Sequence, residues 1–186
     1  MIIGITGTLG AGKGTIVDYL VKQKGFHHFS SRAIINEEIG KRGLPINRDN
    51  MVAIGNALRE EHSSSYLAEE SFRRAQQLGG NAVIESLRAV GEVEKLREKE
   101  DFIFFAIDAD KKIRFERVQQ RNDAQSDDVD FQKFVEQEEL EMKSTDPTKQ
   151  NISACIEMAD YIIDNSGTVE KLNEKVEDVL NELGRK

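Results

Sequence analysis

The chain has 186 residues, of which 38% are hydrophobic and 32% charged, and its formal net charge is −8. That length suits one ordinary domain with a real core beneath a heavily charged surface. No run approaches the roughly 20 apolar residues that a membrane helix needs. The acidic balance argues against broad nucleic-acid binding through a basic surface and does not exclude a local basic pocket for a small anion.

Met1 to Ile5 is apolar, lacks a basic flank and is too short for a secretory signal. Ile2 to Thr6 reads as a short buried strand ahead of a glycine-rich loop. Ile16, Val17, Leu20 and Val21 then fall on one helix face that ends near Gly25. Phe26 to Ser30 is a second strand. His27 and His28 within it point to opposite faces, which predicts structural or surface roles. From Ser31 to Leu78 the pattern is mostly helical, with breaks at Gly43-Leu44-Pro45 and around His62 to Ser65. Gly79-Gly80 is a turn, Ala82 to Ile84 begins a third strand, and Val90, Val93 and Leu96 mark a short amphipathic helix. Phe102 to Ile107 is a fourth strand.

Residues 122 to 150 are polar, with few apolar anchors such as Phe131 and Phe134, and read as an insertion outside the main core. The lone cysteine, Cys155, excludes an internal disulfide, fits a reducing cytoplasm and sits among apolar neighbours as a small buried residue. Tyr161 to Ile163 is a fifth strand, and Val169, Leu172, Val176, Val179, Leu180 and Leu183 define a closing helix capped by Thr168. Apolar strands alternating with helices indicate an α/β domain whose parallel sheet is covered on both sides. No metal-ligand spacing, internal repeat or signature of oligomeric state is present in the sequence.

The loop carries the chemistry. Gly7, Gly10, Gly12, Lys13 and Gly14, with Thr8 and Ala11 among them, follow a strand and open a helix, the context a phosphate-binding loop requires. Glycine lets consecutive N–H groups turn toward one anion, the helix adds the positive end of its dipole, and Lys13 adds a full charge that can follow the transferring phosphate. The usual pattern has a hydroxyl directly after the lysine to ligate Mg²⁺. Here Gly14 stands there and Thr15 comes one residue later. Magnesium is therefore expected on phosphate oxygens and water, with Glu85 at the end of the third strand as its acid.

"GTLGAGKGT" resembles the loop of adenylate kinase and related nucleoside monophosphate kinases. "NAVIESLRAVGEVEKL" is similar to the strand-then-arginine segment of that superfamily, and "RFERVQQR" to its lid-entry helix. "ADYIIDNSGTVEKL" is similar to the closing segment of dephospho-coenzyme A kinases, and the whole order resembles an archaeal group of adenylate-kinase-related proteins. The resemblance implies a P-loop NTPase fold with a five-stranded parallel sheet flanked by helices. Its core would be about 1–30, 79–121 and 151–186, with a helical acceptor-binding region at about 31–78 and a lid-like insertion at about 122–150. It implies use of ATP and Mg²⁺ on a small-molecule nucleotide. Arg88 would grip the acceptor's phosphate, Arg117 and Arg121 would line the transferring group, and Asn165 to Gly167 would border adenine.

The acceptor stays open at this point. A sugar hydroxyl benefits from a positioned base, and the kinases that use one carry an aspartate after the second strand, where this chain has Ser30, Ser31 and Arg32. A nucleoside monophosphate needs arginines instead. That favours a nucleoside or deoxynucleoside monophosphate, with Ser30, Arg32, Arg59 and Arg88 as its binding residues. Asn36, Gln137 and Leu140 stand where relatives carry arginine, so a dephospho-coenzyme A kinase and a non-enzymatic ATP/ADP-binding regulator remain as alternatives.

Overall fold

The computed structural model describes residues 1–120, 130–143 and 150–184. Strand β1 (Ile2–Gly7) is buried along its whole length and forms the centre of a parallel sheet. β3 (Ala82–Glu85) lies on one side of it and β4 (Phe102–Asp108) on the other. The edges are β2 (His27–Ser30) and β5 (Tyr161–Asp164), giving the order β2-β3-β1-β4-β5. The central strands are apolar on both faces because helices cover both. β2 and β5, at the edges, depart from that expectation: positions such as His27 and Ile162 are exposed.

One face packs Ile3, Ile5, Phe105 and Ile107 against α1 (Lys13–Lys24) and α9 (Val169–Leu183), through Ile16, Leu20, Leu172 and Val176. Thr168 caps α9 by accepting from Lys171 N. The other face packs Ile2, Ile84 and Phe104 against α4 (Tyr66–Leu78), α5 (Val90–Arg97) and α8 (Ile152–Glu157). Cys155 is fully buried there, and burial pushes its thiol up to about 12, so it is inert packing.

α2 (Ser31–Lys41) and α3 (Arg48–Glu61) form a separate small core with α4 through Ile35, Ile39, Leu58 and Leu67. Within the region read from the sequence as 31–78, α4 belongs to both cores, giving Leu67 to the small one and Phe72 and Ala75 to the main one. α6 (Lys111–Gln119) follows β4, and α7 (Phe131–Met142) packs on it through Phe115, Phe131 and the fully buried Phe134. Among the described residues no helix is long and apolar enough to cross a membrane.

All five strands run in one direction, so their carboxyl ends share one rim, where the register sets Ser30 beside Glu85 and Asp108 beside Asp164. In open parallel sheets that rim is where ligands bind.

Candidate functional site

The glycine loop leaves β1 at Gly7 and enters α1 at Lys13. Gly12 is the N-cap, with φ 93° and ψ 26°, a left-handed conformation that a residue bearing Cβ adopts only under strain. Two side chains hold the loop from behind. Asn165, buried after β5, donates its amide to Ala11 O at 2.7 Å. Arg114 of α6 donates to Leu9 O at 3.2 Å. In a trans peptide the C=O and the following N–H point opposite ways, so fixing those two carbonyls aims the Gly10 and Gly12 amides the other way. Among the described residues nothing accepts from the amides of Gly10, Gly12 or Gly14. A Cβ at Gly14 would meet nothing within 4 Å, so this residue opens toward free space. The result is a set of unsatisfied donors at a helix N-terminus, suited to an anion.

Lys13 Nζ lies over this loop, donating to Gly7 O at 2.7 Å and Thr8 O at 2.8 Å. Thr8 in turn donates its hydroxyl to Asp108 Oδ1 at 2.7 Å, and the same oxygen accepts from Ala109 N at 2.9 Å. Thr15, on the first turn of α1, donates its N–H to Gly12 O.

Beside the loop lies a cleft of about 930 Å³ that gathers Ser30, Arg32, Arg59, Glu85 and Arg88, with Glu141 of α7 at its rim. Ser30 is turned to capping α2, where its hydroxyl accepts from Ala33 N. Arg59 donates to Gly55 O on its own helix. Arg88 reaches α7 and the segment after it, with Nη1 at 3.3 Å from Gln150 Oε1 and 3.7 Å from Glu141. Its backbone is fixed: Glu92, buried in α5, accepts from the Arg88 and Ala89 amides, while burial raises the Glu92 carboxyl. Just upstream, Ser86 has φ 67°, an uncommon conformation for a residue with a side chain and one that clusters at functional sites.

Glu85 stands where cleft and loop meet. His28 Nε2 lies 3.5 Å from it, and that partner, reinforced by the charges of Lys13 and Arg32, holds the Glu85 carboxyl below the usual carboxylate range against its partial burial. Glu85 is therefore an anion at neutral pH. Among the described residues no three His, Cys, Asp or Glu side chains converge as a ready-made metal cage.

The sequence-derived site residues thus fall into two groups. Gly7 to Thr15 form the loop, and Ser30, Arg32, Arg59, Glu85 and Arg88 share the cleft. Arg117 points elsewhere, with Nη2 3.5 Å from Gly167 O and Nη1 buried without a partner among the described residues. Arg121 lies outside the described residues. Asn165, expected to border adenine, donates its amide to Ala11 O beneath the loop. His28, read from the sequence as structural or surface, lies 3.5 Å from Glu85, and three residues are not singled out by the sequence at all: Asp108, Arg114 and Glu138. Only Asp108 left a signal, as the lone acid ending the apolar run "FIFFAID".

An AAA domain family model matches residues 3–144. A UPF0200 protein of Thermococcus kodakarensis is 30% identical over 98% of this chain and 98% of its own length. The chain belongs to the UPF0200 family. It spans 56% of the length of another relative, a UPF0200/UPF0201 protein of Archaeoglobus fulgidus that is 28% identical over 99% of this chain. Among solved structures, a shikimate kinase from Acinetobacter baumannii in complex with shikimate superposes with a TM-score of 0.61. At 20% identity over 100% of this chain and 95% of that one, it is similar in fold. This UPF0200 chain therefore has a P-loop kinase-like fold, and its two groups of site residues sit on the rim that the fold exposes to ligand.

Proposed function

We propose that the protein is an ATP-dependent phosphotransferase that converts a nucleoside or deoxynucleoside monophosphate to the diphosphate. One observation carries the reading: a cleft with three guanidiniums, Arg32, Arg59 and Arg88, opens beside the donor-lined glycine loop. Loop amides and Lys13 would hold the donor's phosphates. The arginines would hold the acceptor's phosphate, with Arg88 exchanging Gln150 and Glu141 for that anion. An acceptor phosphate oxygen forms the new bond to the γ-phosphorus as the bond to the bridging oxygen breaks, leaving ADP. Positioning and charge neutralisation are most of what such a transfer needs.

Magnesium fits this site as a phosphate-bound ion. With no three-ligand cage among the described residues, Glu85 and Asp108 would hold it through water, and it would supply neutralisation of the β- and γ-oxygens.

A hydroxyl acceptor, such as a small acid of the shikimate kind or dephospho-coenzyme A, has one observation in its favour. The β2–β3 register puts Glu85 beside Ser30, supplying the carboxylate that the sequence after β2 lacks. A carboxyl held low by His28 is a weak general base, however, and the anionic acceptor needs none. The balance stays with the monophosphate.

The test is acceptor-dependent ADP release across a panel of monophosphates, dephospho-coenzyme A and shikimate. Stimulation by a monophosphate is expected, and Lys13→Ala should lower that rate at least ~10²-fold. ATP binding with no stimulation by any acceptor would sink the enzyme reading and favour a nucleotide-binding regulator.

A further inference from the structure

A buried polar network outside the cleft centres on Arg114, which is 4% exposed. Its Nε donates to Ala109 O at 2.8 Å, and Nη1 donates both to Leu9 O in the loop and to Glu138 of α7. Asp108 Oδ1, the acceptor of the Thr8 hydroxyl, lies 3.5 Å from Nε. Glu138 is itself buried and receives Lys111 Nζ at 3.1 Å, while Phe134 presents its ring to the guanidinium at 5.7 Å. The backbone of Arg114 closes on the loop as well: a Cβ at Gly10 would collide with its carbonyl oxygen.

Arginine cannot shed its proton at accessible pH, so a buried guanidinium must keep an anionic partner. The carboxylate closest to it belongs to Glu138, on a helix outside the sheet. The opposite side of the same guanidinium fixes Leu9 O, and through that rigid peptide unit it fixes the direction of the Gly10 N–H. Displacing α7 would strip Arg114 of Glu138 and free the Leu9–Gly10 peptide to rotate. Holding the Gly10 N–H on an anion would in turn favour the Arg114 orientation that receives Glu138.

We propose that Arg114 and Glu138 are a positioning pair, by which seating of α7 and binding of a polyphosphate at the glycine loop strengthen each other. Neither residue is given contact with the reacting atoms. Glu138 acts through Arg114, and Arg114 acts through the Leu9 carbonyl. The inference rests on polyphosphate binding at the loop and is independent of the acceptor's identity. The coupling is reciprocal by thermodynamic necessity.

The experiment titrates ATP–Mg²⁺ into the wild-type chain, Glu138→Gln, Arg114→Lys and, as control, Glu136→Gln, whose partner is Gln132 on the same exposed stretch of α7. Hydrogen exchange over 131–142 is followed with and without ATP. Glu138→Gln and Arg114→Lys should weaken ATP binding about 10-fold, within the usual range of coupling between sites, and the control should stay within twofold. ATP should slow exchange across 131–142 in the wild-type chain by a similar factor and have little effect there in Glu138→Gln. Variants that melt earlier yet bind ATP as the wild type does would reduce the pair to a structural bridge and overturn the proposal. Should the variants not fold, wild-type exchange that ATP leaves unchanged overturns it alone. A wild-type chain that binds no ATP overturns both this proposal and the loop assignment. ATP binding without acceptor turnover touches only the acceptor assignment.

Discussion

Replacing Gly12 by alanine should be penalised for two separable reasons, and the structure gives each a size. Gly12 sits at φ 93°, where a residue with Cβ loses roughly 1–2 kcal/mol. The new methyl would also occupy the position of Asn165 Nδ2 and drive it from Ala11 O, a buried bond at 2.7 Å. Leaving that carbonyl unsatisfied costs about 1–3 kcal/mol, so Gly12→Ala should lose about 2–5 kcal/mol in all. Asn165→Ala should lose about 1–3 kcal/mol alone, because it removes the bond without adding strain. In the Asn165→Ala background there is no amide left to displace, and the further loss from Gly12→Ala should shrink to the backbone strain of about 1–2 kcal/mol. Urea denaturation of the four proteins, with unchanged m-values, measures this cycle. ATP titration should show both single variants weakened, since each loosens the peptide that aims the Gly12 N–H. Additivity within about 0.5 kcal/mol would refute the argument, because it would mean that the two residues do not compete for one space.

Three further outcomes are expected. His28→Ala removes the largest influence lowering the Glu85 carboxyl, so its pKa should rise and the acid limb of the ADP-release profile should move to higher pH; an unmoved limb would detach Glu85 from the rate. Glu70 is drawn down to about 2, first by its hydrogen bonds to Arg73 and then by Arg74. Its stabilising effect should be complete above its ordinary value of 4.5 and fade as pH falls toward 2, and because the Arg73 side chain is half exposed, solvent screening holds that effect to about 1 kcal/mol. Acid denaturation of Glu70→Gln against wild type should therefore converge near pH 2, and a gap that persists would contradict it. Phe134→Ala empties a fully buried ring site between α6 and α7, at a cost of about 3–5 kcal/mol. Exchange over 131–142 should accelerate, and unchanged exchange would show that α7 does not depend on that ring.

What the sequence reveals tracks how local the physics is. The five strands, the glycine loop and the closing helix are legible because each is set by residues near one another: an apolar run, glycines around Lys13, a Thr168 cap. The region 31–78 is helical as read, but its division is not legible. The side chains that bind α4 to the sheet, Phe72 and Ala75, carry the same spacing whether they face the sheet or the small core. Glu85 is found from its place at a strand end. Its partner His28 is not, because that pairing exists only once β2 lies beside β3.

The arginines of α6 make the same point more sharply. Arg117 and Arg121 are singled out by the resemblance of "RFERVQQR" to a lid-entry helix. Arg114, three residues before Arg117, occupies the inward position instead, because the residues on either side of it in space are a loop carbonyl at 9 and a carboxylate at 138. Each of those partners is unremarkable in sequence. Leu9 offers only its backbone, and Glu138 is one acid among four in "FVEQEELEM". A buried charge is identified by the partner that neutralises it, and that partner is a fact of tertiary packing. Helical periodicity reports which residues share a face and is silent on which face turns inward. That choice is made by Phe134, whose burial against Phe115 seats α7 and thereby brings Glu138 to Arg114.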